Sequence, residues 1–240
     1  MTLTGKTVLI TGANRGLGRA LVEEALSRGA ERVYAGTRQA LNPTDERVTP
    51  LVLDLTDAAQ INHAAETVDS LDVLINNAGV YGYEDLADRA ALERHLAVNL
   101  FGPYALTQAL LPRLIESQGA IVNVLSLAAV AALPISPAYS ISKAAALSLT
   151  QSLRATLAGQ SVGVHAVLPG PMDTDMVRDL EIPKTSPQSA AAAILDALDK
   201  GEEEIFPDPF SQTLADSWNG GAVKALERQN AALLGAAQNQ

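Results

Sequence analysis

No cysteine occurs anywhere in the 240 residues, which excludes disulfides and thiolate chemistry but says little about redox compartment. The three histidines, His63, His95 and His165, do not cluster with carboxylates at metal-ligand spacing, so they read as structural and no metal is expected. Basic residues are scarce. The 17 Lys and Arg against 27 Asp and Glu leave a formal net charge of −10 and a pI near 4.7. Nucleic-acid surfaces need clustered cations, so no such partner is expected, and any phosphate-bearing ligand must be held by a local basic pocket. Long apolar runs are missing too. The longest, Leu125 to Ile135, is broken by Ser126 and Pro134 and cannot span a bilayer. The opening Met1-Thr2-Leu3-Thr4-Gly5-Lys6 leads into an apolar run too short for a signal peptide, which makes the cytoplasm the expected location. With no linker or low-complexity tract, the chain reads as one domain over 1–240.

What is present is ample apolar material, 48% of residues, arranged as short strands between stretches of helical periodicity. The pattern predicts strands over 6–10, 32–35, 51–53, 71–75, 121–125, 162–168 and 204–206. Helices are expected over 18–27, 57–68, 85–98, 100–116, 138–158, 188–199 and 221–234. Apolar strands without polar alternation, separated by helices, imply a parallel sheet covered on both faces. The natural assembly is a doubly wound α/β Rossmann fold with ligands at the carboxyl ends of the strands. Thr11-Gly12, Asp54, Asn76-Asn77-Ala78-Gly79, Ser126 and Pro169-Gly170 each fall where an apolar strand stops, and they point to one crevice.

Gly12-Ala13-Asn14-Arg15-Gly16-Leu17-Gly18 places three glycines between the first strand and its helix. There the backbone can approach a pyrophosphate and the helix N-terminus can offer its amides; the alternative is a tight turn with no ligand. In such sites an acidic residue ending the second strand takes the ribose hydroxyls, whereas an arginine accommodates a 2′-phosphate. Here the strand ends Tyr34-Ala35-Gly36-Thr37-Arg38, with no carboxylate and with Arg15 in the neighbouring loop. NADP(H) is therefore favoured and NAD(H) remains possible, unless both arginines are ordinary solvated side chains.

Tyr139-Ser140-Ile141-Ser142-Lys143 sets a phenol and an ammonium one helical turn apart, on one face. At roughly 5 Å and an effective dielectric of about 20, the charge favours the phenolate by about 3 kcal/mol, on the order of two pKa units. That shift would bring Tyr139 into the range of efficient acid–base catalysis. Alternatively, the two are a surface pair on an Ala-rich helix.

Thr11-Gly12-Ala13-Asn14-Arg15-Gly16-Leu17-Gly18, Asn76-Asn77-Ala78-Gly79, Asn99, Ser126, Tyr139-Ser140-Ile141-Ser142-Lys143 and Pro169-Gly170-Pro171 stand in the order and approximate spacing of the short-chain dehydrogenase/reductase family. The chain resembles that family from Gly5 to about Phe206. The resemblance implies that Tyr139 exchanges a proton with the substrate oxygen and that Ser126 holds that oxygen. It also implies that Lys143 lowers the Tyr139 pKa and bonds the nicotinamide ribose, while Asn99 holds a proton-relay water. By the same resemblance Asp54, followed by Leu55, meets the adenine edge and Asn76, Asn77, Ala78 and Gly79 form a cofactor wall. Pro169, Gly170 and Met172 flank the nicotinamide, with Thr174 near its carboxamide. Asp54 could instead cap the following helix, and Asn99 could be a helix-bend residue.

Two departures stand out. The polar run with Pro43 between Arg38 and Leu51 removes or reduces the helix that usually follows the second strand. The lid, about 171–187, is short. Its expected neighbours Tyr81, Tyr83, Leu127, Leu133, Pro134, Met172 and Met176 are mostly apolar, and each could equally be core. A small or medium apolar ketone, aldehyde or secondary alcohol is the expected substrate. A 3-oxoacyl reductase, a non-enzymatic NADPH-binding sensor or scaffold, and a halohydrin dehalogenase-like lyase are the alternatives. Lys143 and the intact glycine loop oppose the lyase. Few charges lie on the helices around 100–116 and 138–158, so a homodimer or homotetramer through them is expected.

Overall fold

Both parities of the central strands are apolar because a layer of helices covers each face of the sheet. The computed structural model describes residues 1–174 and 183–237. Seven parallel strands, β1 (Thr7–Thr11), β2 (Arg32–Thr37), β3 (Val48–Val52), β4 (Val73–Asn76), β5 (Ala120–Val124), β6 (Gly163–Val167) and β7 (Glu204–Ile205), lie in the order β3-β2-β1-β4-β5-β6-β7. The chain thus winds outward from β1 in both directions, which is the Rossmann arrangement.

Alternate side chains go to opposite layers. Val8, Ile10, Val73, Ile75 and Val122 join one buried cluster with Leu17 and Leu21 of α1 (Gly16–Ser27) and Ile194 and Leu198 of α6 (Pro187–Lys200). Leu9, Tyr34, Leu74 and Ile121 join the other, with Ile61 of α2 (Ala58–Thr67), Leu106 and Leu110 of α4 (Gly102–Glu116) and Leu153 of α5 (Pro137–Leu157). Each fully buried side chain of this kind contributes about 1.5–3 kcal/mol.

The elements differ from expectation where non-local contacts decide. β3 runs three residues earlier than expected and includes Pro50, which is tolerated because β3 is an edge strand. No helix forms over 38–47, as expected. The helix expected from 85 begins at Arg89, because Asp85 closes a turn on Ala87 and Asp88 supplies the cap to Ala91. This α3 (Arg89–Leu96) then runs without a break through a π-turn, Ala97–Phe101, into α4. Two short helices, α7 (Pro209–Gln212) and α8 (Ala215–Asn219), precede the terminal α9 (Ala222–Ala237). They were not expected, although Asp208-Pro209 is a helix-start signal.

Candidate active site

The end of β1 and the end of β4 are tied by Thr11, whose hydroxyl accepts the N–H groups of Asn77 and Ala78, each at 3.0 Å. Asn77 Nδ2 donates back to the Thr11 carbonyl at 2.9 Å. The loop between β1 and α1 folds tightly on this support. Gly16 has φ +53°, and a Cβ on Gly18 would lie 2.1 Å from the Gly12 carbonyl oxygen. The cap position of α1, Arg15, is extended and its side chain does not cap the helix, and the first turn holds no acidic residue. The N-terminal amides of α1 therefore face the loop with no acidic side chain of the helix's own first turn against them, a setting that favours an anion. Leu17 is buried beneath, whereas Asn14 and Arg15 are exposed at the rim.

At the adenosine end, Thr37 is buried and its hydroxyl donates to the Gln39 carbonyl, and Arg38 is exposed. Asp54 accepts from Thr56 N at 2.9 Å and Thr56 Oγ1 at 2.7 Å, which lowers its pKa, with a smaller contribution from the Arg38 charge. The helix-cap alternative for Asp54 is thereby corrected: Asp57 caps α2 through Ala59 and Gln60. Leu55 turns into the core.

Asn99 sits in the π-turn. Its Oδ1 accepts from Val80 N at 2.8 Å, and its Nδ2 donates to Val80 O at 3.0 Å and Ser142 Oγ at 2.9 Å. The side chain thus grips the segment after Gly79, a role beyond bending a helix. A Cβ on Gly79 would stand 3.2 Å from Asn99 Oδ1 and 3.6 Å from Lys143 Nζ. Lys143 is buried, donates to the Val124 carbonyl at 2.8 Å, and lies 5.7 Å from the Tyr139 ring centroid. Ser126, just past β5, accepts from Ala128 N at 3.1 Å, and its hydroxyl is close enough to the Tyr139 phenol to lower that group's pKa. The four residues predicted from sequence are therefore brought together, with a small space lined by Asn76, Asn99, Asn123 and Lys143 adjoining them.

The direction of the tyrosine shift is corrected by the structure. Burial pushes the Tyr139 phenol up from its ordinary value, and the neighbouring Ser126 hydroxyl only partly offsets this. Burial also pulls Lys143 down to about 8. Desolvation outweighs the attraction inferred from the i, i+4 spacing, because both groups are withdrawn from water.

Other expected residues are less convergent. Gly170 N–H bonds to Asp208 Oδ2 at 2.8 Å, and the buried Pro169 carbonyl accepts from Leu127 N. Met172 packs against the core near α1, and Thr174 lies beside Gly16. Leu127 packs on the cluster of Leu125 and Leu168, whereas Leu133 and Pro134 are exposed. Met176 falls outside the described residues. Tyr81 lies edge-on to Tyr139, with centroids 5.1 Å apart, and Tyr83 lies edge-on to Tyr81 at 5.6 Å. Burial and the neighbouring Tyr83 push the Tyr81 pKa up to about 12.

His95, read as structural, is buried with its ring 6.4 Å from that of Tyr139. Two residues near the site escaped sequence reasoning. Asp208 anchors the Gly170 turn, and Glu84 reaches the N-terminus of α5. Of these only Asp208 had a local signal, its place before Pro209.

Comparison with known proteins gives a consistent picture. The family model described as short chain dehydrogenase matches residues 6–184. A solved short chain dehydrogenase from Burkholderia cenocepacia J2315, in complex with NADP, superposes with a TM-score of 0.87 at 39% identity, over 95% of this chain and 98% of that one. Short chain dehydrogenase pigC of Monascus ruber is 36% identical over 73% of this chain and 65% of its own length. Ketoacyl reductase HetN of Nostoc is 33% identical over 89% of this chain and 83% of its own.

Proposed function

From the premise that this chain belongs to the short-chain dehydrogenase family of oxidoreductases, we propose that it is an NADPH-dependent carbonyl reductase or, in the other direction, an alcohol dehydrogenase. Its substrate is a small or medium apolar ketone, aldehyde or secondary alcohol. The observation that carries this reading is the buried Lys143, 5.7 Å from the Tyr139 ring and bonded to the end of β5 just before Ser126, with Asn99 holding the Val80 backbone beside it.

The residues present fit a dinucleotide. The glycine cradle would meet the pyrophosphate at the uncapped start of α1, and Asp54, with the backbone rather than the buried side chain of Leu55, would meet the adenine. Asn77, Ala78, Gly79, Pro169, Gly170, Met172 and Thr174 would line the nicotinamide half. Arg38, exposed after a strand end without a carboxylate, and Arg15 support NADP over NAD. The complex of the Burkholderia relative with NADP agrees. When bound, the cofactor supplies hydride to the carbonyl carbon.

Charge then builds on the carbonyl oxygen, which needs a hydrogen-bond donor and a proton. Ser126 holds that oxygen and Tyr139, protonated because it is buried, donates to it. Lys143 stabilises the resulting phenolate, and the space it shares with Asn99 suits the relay water that would return a proton. Tyr81 and Tyr83 give the mouth an aromatic wall. The protein acts as a homodimer or homotetramer.

The test is loss of nicotinamide absorbance from NADPH across a panel of ketones and aldehydes, with NADH as control. Tyr139→Phe is expected to bind NADPH normally yet lose roughly a hundredfold or more of the rate, the usual contribution of a general acid. Activity within a few-fold of the parent rules out the proton-donor role. A 3-oxoacyl substrate is the second reading, favoured by the name of the Nostoc relative; a thioester in the panel that outcompetes simple ketones would establish it.

A further inference from the structure

The helix that carries Tyr139 and Lys143 begins at Ser136, yet the Ser136 side chain does not cap it. Its hydroxyl donates instead to the Gly82 carbonyl at 2.6 Å. The first amides of α5 would be left without acceptors if nothing replaced it. The replacement is a carboxylate from far upstream: Glu84 Oε1 accepts from Ala138 N at 2.9 Å and Tyr139 N at 3.4 Å, and lies 3.4 Å from Ser136 Oγ.

The segment that delivers Glu84 is held at its other end as well. Asn77 and Ala78 are fastened to Thr11, and both backbone groups of Val80 are gripped by Asn99. Residues 77–84 therefore run as a strap from the cofactor wall to the start of the catalytic helix. Midway along it, Tyr81 presses edge-on against the Tyr139 ring. A negative side chain at this helix end also opposes the positive pole of the helix dipole.

We infer that Glu84 is a positioning residue for the reaction, capping α5 from the strap and so setting the Tyr139 hydroxyl relative to Ser126 and to the cofactor wall. This rests on the proposed role of Tyr139 as proton donor. The cap fixes the backbone N–H of Tyr139 itself, so its loss moves the proton donor directly.

The full-length chain is compared with Glu84→Ala and Glu84→Gln. If Glu84→Ala does not fold, Glu84→Met keeps the side-chain stem and takes its place. Three readouts are used: amide hydrogen exchange over the peptide 136–143, NADPH affinity by fluorescence titration, and the rate and pH profile of carbonyl reduction. The variant without an acceptor should exchange faster over this peptide. Its kcat should fall roughly tenfold with altered pH dependence, as for a slightly misplaced catalytic group, while NADPH affinity stays within about twofold. Glu84→Gln keeps an acceptor oxygen and should recover most of the kcat and the protection.

Unchanged exchange in the acceptor-free variant overturns the inference whatever the rate does. So does a fall in melting temperature with kcat and pH profile intact, or a Gln variant as impaired as Ala. Absence of carbonyl reduction in the parent would defeat the functional reading instead, and the exchange comparison would still decide whether Glu84 caps α5.

Discussion

Lys143 is 5% exposed and its ammonium donates to the Val124 carbonyl, so the cation is held in the core for a purpose other than stability. Burial lowers its pKa to about 8 and raises that of Tyr139. Between about 8 and the ordinary lysine value the folded state binds fewer protons than the unfolded chain. Stability should therefore rise with pH through that window, and the cost of the buried charge, on the order of 3 kcal/mol, is greatest below it. Removing the charge should relieve this. Lys143→Met, similar in length, is expected to raise the melting temperature at neutral pH by several degrees while abolishing reduction; a fall measured by thermal unfolding would refute the assignment. In the parent, kcat/KM for reduction should decline as pH rises through about 8, because Lys143 then loses the proton that supports the phenolate. The spacing of Tyr139 and Lys143 was legible because a helix obliges i and i+4 to share a face. The sign of the tyrosine shift was not, because it depends on burial by residues distant in sequence.

At the scale of elements, strand–turn–helix order was readable wherever local pattern alone decides, as in β1–α1. The register of that unit leaves no room at Gly18, where a Cβ would meet the Gly12 carbonyl oxygen at 2.1 Å and Asn77 Nδ2 at 2.5 Å. Gly18→Ala should therefore push α1 off the loop. NADPH affinity should drop by at least tenfold with a loss of stability of about 1–3 kcal/mol, read from a binding titration and denaturant unfolding; near-parent values in both would show that the loop yields. Elements defined by distant partners were harder to read. The strand expected over 51–53 in fact starts at Val48 and runs through Pro50, set by its pairing with β2, and the π-turn at Ala97–Phe101 leaves no mark in apolar periodicity. That turn places Asn99 against Val80, so the insertion serves the site. Glu84 gives no sequence signal either, since the helix it caps starts more than fifty residues later.

For the whole molecule, the unresolved contrast is between a chain of net charge −10 and a broad face with almost no charge. On α4 and the turn before it, Phe101, Tyr104, Gln108 and Pro112 are exposed; on α5, Ile141, Ala144, Ser148 and Ser152 are. Phe101 is 59% and Tyr104 46% exposed. The terminal α9 is fastened to the other side of α5, where Lys224 meets Glu203 and Glu204 and Arg154 meets Glu204 and Glu227. Ionic groups that tie α9 to α5 are thus kept off the uncharged stripe. Two acidic copies repel one another unless their meeting surface is free of like charge, so this face is where a two-fold pair can form. A dimer burying about 1,600 Å² in total is expected, and added salt should tighten it by screening the remaining repulsion. Light scattering at micromolar concentration should give at least a dimer mass, and Tyr104→Arg combined with Ser148→Arg should give monomers that still bind NADPH. A parent that stays monomeric at every salt concentration would show that this face is left to water.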